Sequence, residues 1–534
     1  MQKNKQRKSI FAILGVLLLL ALSLCVSFFI SSVVATTAVS IENNGSRLIA
    51  KSDSTPTSYQ WLRADTVDGT FSAIDGATGK YYDITVNDEG KYIKVNIDGV
   101  ETEAVGPIGK LITMDIGKGA ISLGTTYSGK DSDGNSDSGT HTATNIYVIL
   151  HKENGTKTEN NIVFSGNLPN APFDVTLAGV NMGGTPTNHN QAPGNSGTNT
   201  PSTGEIRIPA TSSAVKKVTL RLRDENIVRY ISYYNGSDTN TPATVASSLK
   251  ITNINGDGEV EGGCLYVPVK LAPEEIEAFV NSKTNYNHWN AGIGGTDGNS
   301  LVQNLHIAGG KIQVVTTLGD NCTAIGAGGN GYCQMEISGG EVIAHCNGTG
   351  AAIGGGIGWN AAAGKADILI SGGKIYAENH ARITAAKDGI NHTVGGVAIG
   401  SGSTFHSSGS DGTVTITGGE VEAYGAYGNG IGGGNSPSYA GGGATINITG
   451  GTVKANSIGG GNSAKGAGGS ATITIDNDAN VRLTKEGTDC DFCGIGGGNS
   501  LSGNGGKATI TVKSGTINSD GSIGGGEGGG TGNG

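Results

Sequence analysis

One phrase, Gly-Ile-Gly-Gly or a close relative, recurs eight times in this chain, around Ile293, Ile325, Ile353, Ile399, Ile431, Ile458, Ile495 and Ile523. Successive copies lie 32, 28, 46, 32, 27, 37 and 28 residues apart. Between them runs a second phrase: a short alternating segment, a glycine pair, and another short alternating segment, as in residues 335–344, 414–423 and 446–455. Two phrases in a fixed order define a repeat architecture. Apolar residues take alternate positions on both sides of the pair, Ile446 and Ile448 before it, Val453 and Ala455 after it. A period of two means a strand with one buried face. The glycines supply positive φ at corners.

No helical pattern separates the strands, which excludes an α/β layout. Stacking each unit on the next would bury Ile, Val and Ala in ladders. The expected fold is all-β: a right-handed parallel β-helix, one coil per repeat, preceded by a small Ig-like β-sandwich, with length differences carried in loops. The longest spacing, between Ile353 and Ile399, holds an excursion near residues 379–394.

The flanks divide the chain further. Lys3, Lys5, Arg7 and Lys8 precede an uncharged run at residues 10–30, so residues 1–38 read as a signal peptide or a retained signal anchor. Either way, the rest of the chain is expected outside the cell, with membrane contact only through this segment. Residues 39–106 resemble the immunoglobulin-like modules of bacterial surface proteins, with Trp61 as the core tryptophan and Asp88-Glu-Gly-Lys-Tyr92 as a tyrosine corner. Residues 107–290 read as irregular first coils and the N-terminal cap of the solenoid, with a polar linker at 185–204 and a helix at 273–280 that opens on Pro and acids. Residues 291–534 are the glycine-rich solenoid itself. The sequence runs out in glycine at 523–534 with no cap signal, so a longer protein is expected.

From residues 287–298 through Cys322-Thr-Ala-Ile-Gly-Ala-Gly-Gly and on to Trp359, the chain resembles large glycine-rich repeat surface proteins of Gram-positive, often gut-dwelling, bacteria. The resemblance covers roughly residues 110–534 and implies an adhesin or a carbohydrate-binding stalk. It transfers no catalytic residue. Its implied partners are extracellular glycans or host and cell-surface glycoproteins.

Chemistry-bearing patterns are sparse. A net charge of −10 supplies no basic patch for nucleic acid. A polysaccharide-degrading enzyme needs clustered acids, or acids with Lys and Arg, on one strand face. Outward positions here read as Thr, Ser, Asn and isolated charges, and Asp297, Asp388 and Asp411 stand alone in loops, so the expectation is that the chain is not an enzyme and takes no cofactor or metal. Asp131–Asp137 alternates oxygen ligands as calcium loops do, but its glycine is misplaced and a solvated turn is the better reading. His306, His345, His380, His392 and His406 show no ligand spacing. Cysteines in an exported chain permit disulfides, with Cys322 and Cys346 in successive repeats and Cys490 and Cys493 in one C-x-x-C. Two surfaces are candidates for a ligand. One is a threonine array in the later strands, including Thr445, Thr449, Thr472 and Thr474. The other is a set of loop aromatics, Trp359, Tyr427 and Tyr439, able to stack on sugars. A passive spacer that presents another domain is the alternative to the adhesin, and a polysaccharide-degrading enzyme is the third reading.

Overall fold

The computed structural model describes residues 38–153, 155–165, 171–183, 203–210, 217–235, 248–282, 291–295, 302–317, 323–358, 364–387, 390–484 and 494–529. The N-terminal apolar run, Trp359, Cys322, Cys490 and Cys493 lie outside them. Among the described residues no helix is long and apolar enough to cross a membrane.

The chain forms two units. Among the described residues the smaller holds 38–42, 50–80 and 92–105, and the larger holds 43–49, 81–91 and those from 106 onward. In the smaller unit Tyr59–Ala64 pairs antiparallel with Tyr92–Ile97 in a four-stranded sheet. Trp61 is fully buried there and its indole N–H donates to Gly79 O at 2.8 Å, which satisfies its one polar atom. This is the core tryptophan expected of an Ig-like start. The tyrosine expected at the corner is a different one. Within the larger unit, the buried Asp88 carboxylate accepts from the Tyr82 hydroxyl at 2.8 Å and from Thr85 N–H at 2.7 Å; Tyr92 belongs to the smaller unit and sits half-buried in its strand.

The larger unit is a parallel β-helix with three strand faces. On the first face Val414, Ile446, Ile473 and Ile510 stand in register. On the second Val421, Val453, Val481 and Ile517 do the same. The third is the column of the repeated phrase: Ile293, Ile325, Ile353, Ile399, Ile431, Ile458, Ile495 and Ile523. Most of these side chains are fully buried. A fully buried aliphatic side chain contributes about 1.5–3 kcal/mol, so the ladders dominate the stability of each coil.

The glycine after each isoleucine is required twice over. At Gly354 and Gly459 φ is +137° and +158°, and an added Cβ would stand 2.0 and 1.8 Å from the carbonyl oxygen of the stacked glycine one coil on. No side chain fits that gap. The corners are less strict: where the glycine pair is missing, Asn477 and Asp478 adopt φ of +49° and +58°, as Asn and Asp can. Buried loop polar groups are matched by stacking too. The Asn435 side-chain oxygen accepts from Asn462 N–H at 2.6 Å, and that of Asn462 from Asn499 N–H at 2.9 Å.

The parallel ladder begins well before the first repeated phrase. Leu111–Asp115, Ile146–Leu150, Phe173–Ala178 and Lys217–Ile227 already stack in parallel. The antiparallel hairpin of Thr126–Lys130 and Ser136–Thr140 joins Ile121–Leu123 and covers the edge of the third face, as a cap must. At its tip Asp131 is a solvated turn, its carboxylate taken up by Asp133 N–H, Asn135 N–H and the Asn135 amide. The expected excursion is an antiparallel hairpin of Arg382–Lys387 and Ile390–Gly395. The expected helix spans Pro273–Val280, with the Glu275 carboxylate accepting from Ala272 N–H at 2.8 Å. It lays Ile276 and Val280 against Val315 of the second face.

Candidate functional site

The second face carries the described residues with the richest chemistry. Its strands Lys311–Val315, Glu341–Cys346, Lys374–Asn379 and Glu420–Gly425 point alternate residues outward, and parallel register aligns those residues into columns. One column runs Lys311, Glu341, Lys374, Glu420, so charge alternates from coil to coil. The next runs Tyr266, Gln313, Ile343, Tyr376, Glu422. The third runs Val315, His345, Glu378, Tyr424. Adjacent coils stand about 4.8 Å apart.

Helix Pro273–Val280, Ala426 and Tyr427 join these strands in lining a groove of about 1330 Å³. Three lysines (Lys270, Lys311, Lys374) line it against five glutamates (Glu277, Glu341, Glu378, Glu420, Glu422), so the groove is acidic on balance. Tyr376 and Tyr424 rings pack at 5.8 Å, and the Arg382 guanidinium lies 4.9 Å over the Tyr427 ring. Each of the first two tyrosines donates to an outward glutamate: Tyr376 to Glu378 at 2.7 Å and Tyr424 to Glu422 at 2.9 Å.

At one end His345 Nδ1 lies 3.2 Å from His380 Nε2, and Glu378 Oε2 lies 3.6 Å from the first and 3.7 Å from the second. Burial pushes the His345 imidazole down to about 3, with the neighbouring His380 adding to the effect. Burial also lowers His380, while Glu378 and Glu277 act in the opposite sense. Burial, reinforced by Glu378, raises the Tyr376 hydroxyl. Both imidazoles are therefore neutral at physiological pH, able to act as ligand, base or hydrogen-bond donor.

This site corrects the expectation that charges on the outward strands are isolated, and it joins two histidines whose linear spacing shows no ligand pattern. The partners are one coil away rather than nearby in sequence. His345 and Glu378 each lie five residues after the second glycine of a pair, Gly340 and Gly373, and aligning the repeats on those pairs would have placed them side by side. Three donor atoms converge there, a cluster that the linear spacing of the histidines does not indicate.

The other sequence-selected residues scatter. Tyr427 lies in the groove wall, whereas Tyr439 is half-exposed in a loop elsewhere and its backbone N–H donates to Ser436. The threonine array is in register on the first face, with Thr413, Thr445, Thr472 and Thr509 in one column and Thr415, Asn447, Thr474 and Thr511 in the next. Thr449 follows its strand and donates its backbone N–H to Ile416 O. Asp411 steadies a loop by accepting from Gly443 N–H. His306 pairs with Ser338. Cys346 is buried, with Gly348 N–H directed at its sulfur at 3.2 Å.

Neither a family model nor a curated protein matches the chain. A solved structure to which it is similar is that of pectate lyase PelI from Erwinia chrysanthemi in complex with tetragalacturonic acid. That similarity is 10% in sequence over 90% of this chain and 92% of that one, with a TM-score of 0.12. So low a score carries no argument about activity. The expectation that the chain is not an enzyme is nevertheless withdrawn. Its premise, that acids and bases are unclustered, fails in the groove.

Proposed function

We propose that this β-helix is a glycan-binding scaffold outside the cell, an adhesin or glycan-binding stalk, and that a neutral polysaccharide lies in the groove of the second face. The observation that carries this reading is the groove's composition: tyrosine rings beside rows of carboxylates and ammonium groups. Apolar sugar faces stack on aromatic rings, and sugar hydroxyls both donate and accept, so a mixed row of Glu and Lys suits them. The excess of glutamate disfavours a polyanion such as polygalacturonate. The basic flank and apolar run at the N-terminus support export.

A glycan array with the full chain tests this. Saturable binding to a neutral polysaccharide is expected, weakened about 5-fold by Tyr427→Ala, the loss of roughly 1 kcal/mol for one aromatic contact. Tyr439→Ala should bind as wild type. Preference for polygalacturonate would overturn the neutral-ligand assignment. An absence of binding across the array would favour the passive spacer.

A further inference from the structure

We propose that His345, Glu378 and His380 form a binding site for a divalent transition ion of the zinc type, with its open coordination position facing the groove. The argument is geometric and independent of the glycan reading. Three donor atoms, His345 Nδ1, His380 Nε2 and Glu378 Oε2, form a triangle with edges of 3.2, 3.6 and 3.7 Å. A circle through them has a radius of about 2.0 Å, so one ion can lie close to 2.0–2.2 Å from all three, the span of zinc bonds to imidazole nitrogen and carboxylate oxygen. Donors bonded to a tetrahedral ion at those lengths stand about 3.3–3.6 Å apart, close to the observed edges.

The donor set selects the ion. Two imidazoles and one carboxylate suit Zn²⁺, Ni²⁺, Cu²⁺ or Fe²⁺, whereas Ca²⁺ and Mg²⁺ want six or more oxygens. The surroundings hold the ligands in place. Tyr376 donates to the same Glu378 oxygen at 2.7 Å and orients the carboxylate, the role an outer hydrogen bond plays at metal centres. His380 is anchored through its backbone N–H to Cys346 O at 2.7 Å. His345 and Glu378 are locked by strand register.

Without metal, the 3.2 Å contact between two neutral rings requires one N–H between them. Metal entry moves that proton to the far nitrogen of the same ring, so both rings stay neutral and bind through lone pairs. All three ligands line the groove, so a fourth position opens onto it and takes water or a ligand hydroxyl.

The experiment uses the full chain freed of metal with EDTA, dialysed, and titrated with Zn²⁺ against a chromophoric chelator, with no glycan present. One tight equivalent per chain is expected. His345→Ala and His380→Ala should weaken it by about 100-fold or more, and the shape-conserving Glu378→Gln and Tyr376→Phe by about 10–100-fold. Co²⁺ in place of zinc should give a four- or five-coordinate visible spectrum without a thiolate-to-metal band, which separates this site from the cysteines. No stoichiometric uptake, uptake unchanged in Glu378→Gln, or a thiolate band would overturn the proposal. Glycan binding measured separately in EDTA reads the proposed function on its own, so either can fail while the other stands.

Discussion

The groove on the second face and the threonine grid on the first share one backbone and differ in what points outward. Inward, both regions obey the same ladders, Val342, Ile375, Val421 and Val453 on the second face and Ile368, Val414, Ile446 and Ile473 on the first. Outward, residues 311–424 of the second face present Lys, Glu, Tyr and His, while residues 413–511 of the first present mostly Thr. Thr is the default for an exposed strand because it suits the pleated backbone. Departure from that default is therefore the informative signal. Buried histidines and tyrosines beside glutamates satisfy no rule of coil building, so the groove marks a site in a way the grid does not.

If both regions truly share one scaffold, damage to the scaffold should be equal in each. Gly354→Ala strikes the coil that holds the groove, and Gly459→Ala a coil that holds the grid. In both, the added methyl meets a carbonyl oxygen at 2.0 Å or less and φ lies far to the positive side. Each substitution should cost about 3–5 kcal/mol, the range of strain joined to overpacking. Urea unfolding, with hydrogen exchange to locate the opened coils, measures it. A severe loss in one and a mild loss in the other would show that the coils are not equivalent.

Acid should separate the two regions next. His345 is held near 3 in the fold, against about 6.5 for a free imidazole. A depressed imidazole favours the fold while neutral: its contribution is fully present above pH 6.5 and is lost as pH falls from there toward 3. The loss approaches about 1.4 kcal/mol for each pH unit in that window. Metal-free wild type should therefore fall in stability between pH 6.5 and 4.5 by more than His345→Gln does. Parallel acid profiles for the two proteins would mean that His345 titrates as though exposed. The grid, whose columns from Thr413 to Thr511 hold no titratable group, should add nothing to this difference.

How far each region could be read in advance follows from the range of its interactions. The isoleucine column needed only a repeated phrase, and the helix at 273–280 only local capping and acids in its first turn. The grid followed from alternation plus stacking in register. The groove demanded more: His345 meets Glu378 across 33 residues, and helix Pro273–Val280 reaches Val315 across two intervening strands. A search for acids along a single strand cannot find a pair that only stacking creates. The corner tyrosine failed for the opposite reason, because two tyrosines, Tyr82 and Tyr92, flank Asp88 at similar distances and sequence does not say which one folds back.

The smallest effect is expected on the grid, and it is the sharpest test of where the ligand lies. Thr472 is exposed and Thr474 half-buried, each flanked in its column by another polar residue rather than by a pocket. Thr472→Ala and Thr474→Ala should each change stability by no more than about 0.5 kcal/mol, as surface changes away from caps and cores do. Glycan binding should be untouched by the pair combined, because the tyrosine rows of the groove lie on the second face. Calorimetry of the double variant beside the array measurement decides it. If binding vanishes while stability holds, the regular grid is the ligand surface, and a lattice of hydroxyls repeating about every 4.8 Å, not the mixed chemistry of the groove, is what the ligand recognises.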